Sequence, residues 1–120
     1  MEEGQRARSW MGFGMNESQI QAAIRLALGQ RDDVMLLRIN VGKFRPLHGP
    51  QDRVITSAPP GTPDLLGVWN GRALAIEVKN AKGKQRPEQI AFQKAWEARG
   101  GLYILARSVD DVTQRIGETE

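Results

Sequence analysis

The chain contains no cysteine, one histidine, one tyrosine and no long apolar run. Without cysteine there is no disulfide framework, no thiolate metal site and no cysteine nucleophile. Without an apolar stretch of membrane or signal-peptide length, a soluble, intracellular and cytoplasmic protein is expected. The single His48 lies in the middle of a long connection. It could contact a phosphate, but a lone loop histidine is more often solvated, and it is not counted among the site residues. No internal repeat and no low-complexity tract interrupts the 120 residues. Such a length suits one domain with a real core, and is small for a monomeric enzyme. The formal net charge is only +3. Carboxylates neutralised by a metal would leave a more basic surface, compatible with phosphate-bearing partners.

What is present is concentrated in one hairpin. Pro63 to Trp69 is apolar and β-prone, Asn70-Gly71 follows, and Arg72 to Lys79 forms a second run. Asn-Gly between such runs is the strongest short-range signal for a two-residue turn, because both residues accept positive φ. With that turn Trp69 faces Arg72, and facing residue numbers sum to 141. Asp64 then opposes Glu77, their Cβ atoms about 4.5–5.5 Å apart. Lys79 projects from the same face, since side chains alternate along a strand.

Opposed like charges destabilise a ladder. The bland reading is an exposed pair of carboxylates, each neutralised by a nearby Lys or Arg. The reading favoured by this register is a divalent-cation site: oxygen ligands suit Mg²⁺, which commonly uses one or two carboxylates and keeps several waters. Lys79 is placed to orient a nucleophilic water or to stabilise a phosphorane-like transition state.

The rest of the chain can be read around this hairpin. Residues 1–14, with Trp10, Met11 and Phe13, show no clear period and are expected to form a mobile arm, leaving 15–120 as the domain. Asn16 and Gln19 have capping-box spacing, and Ile20, Ala23, Ile24, Ala27 and Leu28 predict a helix that stops near Gly29. Glu17 falls at the N-terminal end of the apolar stripe. Acids are favoured in a first turn by the helix dipole, but beside the hairpin carboxylates Glu17 reads as a third acidic site residue. Val34 to Val41 reads as a strand. Gly42 to Thr62, with four prolines and three glycines, is too long for a simple turn. Pro63 biases Thr62 toward extended backbone and so sets how Asp64 enters its strand.

After Lys79 comes a basic turn with Lys82, Lys84 and Arg86, then a helix opened by Pro87. A charge run is usually a solvated loop; beside a metal site it can contact phosphates. Gln89, Phe92, Ala95 and Trp96 share one face of that helix, the aromatics expected in the core and Gln89 able to reach the site. A strand, Leu102 to Ala106, and a short helix capped by Ser108 with Asp111 at N3 complete the order. The expected architecture is α/β, with an αβββαβ core: a mixed sheet flanked by helices, its last strand parallel to a core strand.

Glu17, Pro63-Asp64 and Glu77-Val78-Lys79, in this element order, resemble the PD-(D/E)XK nuclease superfamily with its restriction-endonuclease-like fold. More narrowly, Gly61 to Asp64, the Glu77 to Lys79 strand and the Gln89 helix resemble the minimal stand-alone VRR-NUC family of phages and bacteria, over residues 15 to 108. The resemblance implies metal-dependent hydrolysis of DNA phosphodiesters. It implies that Asp64, Glu77 and the Val78 main-chain carbonyl bind Mg²⁺ or Mn²⁺, and that Glu17 acts through water or a second metal. Lys79 would position the attacking water, and Gln89 would support the site. Stand-alone members are similar to Holliday-junction resolving homodimers, and a small chain cutting two strands at once independently needs a second copy. The expectation is therefore a structure-selective endonuclease acting on branched or junction DNA in a bacterial or phage-infected cell. The alternatives are nicking, flap or end processing, or a non-catalytic module that holds branched DNA.

Overall fold

The computed structural model describes residues 14–41, 43–44, 49, 55–56 and 58–118. The arm with Trp10, Met11 and Phe13 lies outside these, as does His48. Among the described residues, no helix is long and apolar enough to cross a membrane.

Helix α1 (Glu17–Gly29) starts where the cap predicts. Asn16 Oδ1 accepts the Gln19 N–H at 2.8 Å and Gln19 Oε1 accepts the Asn16 N–H at 2.9 Å, a complete capping box. Strands β1 (Val34–Arg38), β2 (Lys43–Phe44), β3 (Ile55–Thr56), β4 (Leu65–Trp69) and β5 (Arg72–Val78) follow. Helix α2 (Pro87–Ala98), strand β6 (Leu102–Ala106) and helix α3 (Val109–Ile116) complete the order. The main sheet runs β1-β4-β5-β6, antiparallel except for the β5–β6 pair, which is parallel. The expected mixed sheet and the parallel crossover through α2 are both present.

Three expected boundaries change. β1 stops at Arg38, although Ile39 still donates to the Asp64 carbonyl at 2.7 Å; Val41 instead bridges Ala58. The Gly42–Thr62 connection contains the two-residue ladder β2–β3, too short to leave a period-2 signature. At α3, Ser108 accepts the Asp111 N–H, but the Asp111 carboxylate turns to the Arg107 N–H at 2.8 Å, so only half a capping box forms.

Alternation sorts the sheet into two faces. Leu65, Leu74, Ile76, Val78, Leu102, Ile104 and Ala106 point to one side and are buried there with Ile20, Ile24 and Leu28 of α1 and Val112 and Ile116 of α3. This is the core. The other face carries Asp64, Glu77, Lys79 and Tyr103, partly covered by α2. Phe92 and Trp96 stack on one another at 5.3 Å, and Phe92 lies 6.4 Å from Tyr103. Contrary to the core expected for that helix face, both rings are half-buried and Ala95 is exposed; Gln89 is the buried residue of α2. One short helix laid on the rim of a four-stranded sheet cannot bury a full stripe.

Two long-range contacts brace the frame. The buried Arg31 guanidinium forks onto Asp33, both bonds 2.8 Å, and donates to the Ile116 and Gly117 carbonyls, while Trp69 Nε1 donates to Asp33 Oδ2 at 3.2 Å. These bonds tie the ends of α1, α3 and β4 together, and the guanidinium holds the Asp33 carboxyl down to about 2. At the other end, buried Gly61 sits at φ 93°, and a Cβ there would collide with the Glu88 carbonyl oxygen. Only glycine lets the Pro-rich segment press onto the first turn of α2.

The hairpin turn is as expected: Asn70 has φ 47° and Gly71 φ 79°, the sign pattern of a type I′ turn. Gly71→Val places a β-branched side chain at positive φ, where even ordinary residues lose about 1–2 kcal/mol. We expect a lower denaturation midpoint by about that energy, measured by urea titration, with a matching loss of activity from misregister. Unaltered stability and activity would remove the turn as the determinant of register.

Candidate active site

The β4–β5 register places Leu65 opposite Ile76 and Trp69 opposite Arg72. One step further, Asp64 stands opposite Glu77, just outside the assigned strand. Asp64 Oδ2 accepts the Val78 N–H at 3.2 Å. Since the Lys79 N–H donates across to Ala106 of β6 at 3.0 Å, the backbone groups of Val78 point the other way. Its carbonyl therefore opens on the side where Asp64 stands.

Glu77 is 3% exposed, and its Oε1 is buried without any hydrogen-bond partner. Burial, with Asp64 opposite, pushes its carboxyl up to about 7; Lys79 works against this and Glu17 adds a smaller push. Lys79 is itself 8% exposed, and its Nζ lies 3.8 Å from Glu77 Oε2. That is too long for a strong charge-assisted bond, which measures roughly 2.7–2.9 Å. An orphaned buried carboxylate oxygen facing a second carboxylate is a costly arrangement. A hard cation held by Asp64, Glu77 and the Val78 carbonyl would satisfy it, so these residues fit Mg²⁺ or Mn²⁺. Among the described residues no three His, Asp or Glu side chains gather into a ready-made metal cluster; two carboxylates and a carbonyl are what the hairpin offers.

The other expected residues fall around this pair. Glu17, the first residue of α1, is exposed rather than buried with the stripe, because it precedes Ile20 by a turn and overhangs the core. Its Oε1 lies 3.4 Å from where a Cβ on Gly83 would be, and Lys79 Cδ lies 3.2 Å from the same point. Glu17 and Lys79 therefore both border Gly83 of the basic turn, without pairing with each other. Gln89 is buried, but its Oε1 accepts the Arg86 N–H at 2.8 Å, which gives the oxygen to the helix cap. Lys82, Lys84 and Arg86 are exposed, and Arg86 pairs with Glu88 at 3.2 Å. Such surface pairs are weak, so all three cations stay usable.

Sequence reasoning missed how the basic turn is held. Asn80 Oδ1 accepts the Lys82 and Gly83 N–H groups at 3.0 and 2.8 Å, an Asx turn that the Asn80–Gly83 spacing does signal. Arg107 Nη1 donates to the Asn80 and Gly83 carbonyls at 2.5 and 2.8 Å. Gln85 Nε2 reaches Gln93 Oε1 and the Tyr103 hydroxyl at 3.0 and 3.1 Å. Burial pushes that hydroxyl up to about 12, with Glu77 and Asp64 adding to the shift. Tyr103 is therefore neutral and structural.

Among solved structures, the chain matches one described as a VRR_NUC domain at probability 1.00, with a TM-score of 0.54 and 21% identity. The match covers 87% of this chain and 97% of that one. The fold is that of a VRR_NUC domain. No family model matches the sequence, and no curated protein does. The VRR_NUC-like fold therefore rests on three-dimensional agreement over nearly all of both chains. Within it the hairpin carboxylates project from the face that α2 partly covers, with Glu17 at the start of α1 and Lys79 near by.

In protein stripped of divalent ions, Glu77 is protonated when folded up to about pH 7, whereas unfolded it ionises in the ordinary carboxylate range. The folded state then binds the extra proton, so stability falls as pH rises through that window, and the penalty is complete above it. Glu77→Gln should therefore raise the melting temperature above pH 7, by roughly 1–2 kcal/mol of unfolding free energy, and leave it unchanged in acid. The variant should also lose any melting-temperature increase that Mg²⁺ or Mn²⁺ gives the wild type. Thermal melts across pH with EDTA or metal test both; a destabilised variant at pH 8 would refute the orphaned-charge account.

Proposed function

We propose that the chain is a VRR-NUC nuclease of the PD-(D/E)XK superfamily, a metal-dependent, structure-selective DNA endonuclease that works as a homodimer on Holliday junctions. One observation carries the reading: a buried, unpartnered Glu77 oxygen opposed to Asp64 and flanked by Lys79, on the fold of a VRR_NUC domain. A module that only holds DNA has no use for opposed carboxylates pointing at a polyanion, since they weaken binding and destabilise the sheet.

Asp64, Glu77 and the Val78 carbonyl would hold Mg²⁺ or Mn²⁺. When bound, the ion supplies Lewis-acid polarisation of a phosphoryl oxygen and lowers the pKa of a coordinated water. Lys79, its stem buried and its ammonium beside Glu77, orients the attacking water and offsets charge developing on the phosphorus oxygens. Glu17 overhangs the same point from the solvent side, where it can accept a proton from water or anchor a second hydration shell. Buried Gln89 fixes the first turn of α2 and so supports the wall of the site. Lys82, Lys84 and Arg86 meet the phosphates on either side of the cut, on a turn that Arg107 and Asn80 hold rigid.

The deciding experiment is cleavage of labelled four-way junction, flap, nicked and plain duplex DNA with Mg²⁺ or Mn²⁺. Paired symmetric cuts in the junction are expected, and Asp64→Ala and Glu77→Ala should each lose at least about 10³-fold in rate while binding DNA as tightly or more tightly. Cutting confined to flaps, nicks or ends would keep the metal site and discard junction resolution. Tight binding without cutting would favour the holding module.

Replacing Lys82, Lys84 and Arg86 together should weaken binding and flatten its dependence on log salt by up to about 0.9 per lost phosphate contact. Fluorescence anisotropy at several KCl concentrations reads this. An unchanged slope would take the turn out of the DNA path.

A further inference from the structure

β1 is an edge of the main sheet, and among the described residues nothing pairs with its outer side from Val34 to Arg38. Ile39 donates to the Asp64 carbonyl and Asn70 donates to the Asp33 carbonyl. Odd-numbered residues here thus turn their backbone groups inward to β4, and Val34, Leu36 and Arg38 turn theirs outward. Beyond Arg38 the edge closes, since the Asn40 carbonyl accepts the Ala58 N–H at 3.2 Å. Exposed edges are normally blunted by lysine, proline or a bulge. This one instead shows Met35 and Leu37, 67% and 54% exposed, with Val68, 47% exposed, facing Met35 on β4.

We propose that two copies of the chain join along β1, antiparallel about a two-fold axis at Leu36. Leu36 then pairs with its own copy, Val34 with the second copy's Arg38, and Met35 with the second copy's Leu37. All outward N–H and C=O groups of Val34, Leu36 and Arg38 are satisfied. Met35 and Leu37 close an apolar row that crosses both sheets without interruption. The charges select a second copy over an unrelated extended peptide. Asp32, in the turn before β1, and Arg38, at its end, are both exposed and have no ion-pair partner among the described residues. In this register each Arg38 lies diagonal to the second copy's Asp32, about 7–8 Å away and within reach of an arginine. The symmetry makes that pair twice.

Asp64 and Glu77 project from the same sheet face as Met35 and Leu37. Stacking two such faces would bury the apolar row but also cover the carboxylates. Edge pairing leaves both carboxylate sites open on one continuous face, roughly 25–30 Å apart by strand spacing and rise. The inference rests on the homodimer proposed above and adds the edge that forms it.

The test uses the full chain without DNA or metal, so it reads assembly independently of cleavage. Sedimentation should show a dimer. Asp32→Arg and Arg38→Asp should each raise the dimer dissociation constant about tenfold or more, and the double reversal should restore it to within about threefold. The chain has no cysteine of its own, so Met35→Cys with Leu37→Cys reports register directly. Mild oxidation should convert that variant to a covalent dimer, while Leu26→Cys, on exposed α1, should stay monomeric under denaturing conditions. Circular dichroism confirms that the variants fold. A monomeric wild type, a dimer indifferent to the charge reversals, or no cross-link would overturn the pairing. A chain that pairs by this edge yet cuts no DNA would support it and remove the nuclease reading; a monomer that resolves junctions would do the reverse.

Discussion

Opposing two carboxylates across an antiparallel ladder is the constraint around which the molecule is arranged. The Asn70-Gly71 turn sets the register, and the register alone decides that Asp64 meets Glu77 and not a neighbour. A slip of one residue would leave one carboxylate on this face and send the other into the apolar core. The sheet must therefore be stiff before the site can be acidic. Stiffness comes from a core of α1 and α3 on the opposite face, and from the Arg31–Asp33–Trp69 brace at the far end. Repulsion is confined to one end of one hairpin, where the rest of the fold is able to bear it.

The same separation organises the cationic side. Lys79 belongs to the strand, while Lys82, Lys84 and Arg86 belong to a turn that would be loose if left to itself. Arg107 bonds two carbonyls of that turn, and its own backbone is fixed by Asp111 of α3. The buried core thus reaches through α3 and Arg107 to the surface expected to meet phosphates. Gly61 does the equivalent for Asp64, pressing the incoming segment onto α2. Both halves of the candidate site are placed by contacts that carry no reactive chemistry.

Local signals were legible in the sequence because their physics is local. The Asn16–Gln19 box, the Asn-Gly turn and the stripe of α1 each involve residues within a few positions, and each formed as read. The opposition of Asp64 and Glu77 was legible for the same reason: one turn type converts residue numbers into facing pairs. Arg107 was not, since the carbonyls it binds are more than twenty positions away and any exposed-looking arginine reads alike. Phe92 and Trp96 were misjudged as core because helical spacing reports a shared face, not whether a partner surface exists to cover it. Glu17 was misplaced by a similar limit: periodicity assigned it to the stripe, but the stripe had run out of sheet.

Burying Glu77 with its Oε1 unpartnered has a consequence for lineage as well as for chemistry. In a descendant freed from the demand that maintains this carboxylate, glutamine at position 77 would remove the cost of the buried charge. Drift at that position has a direction. Retention of glutamate across distant descendants would record continued selection on the site, and its replacement would date the loss of it. A residue that burdens the folded state is also a sensitive historical witness to what the fold is for.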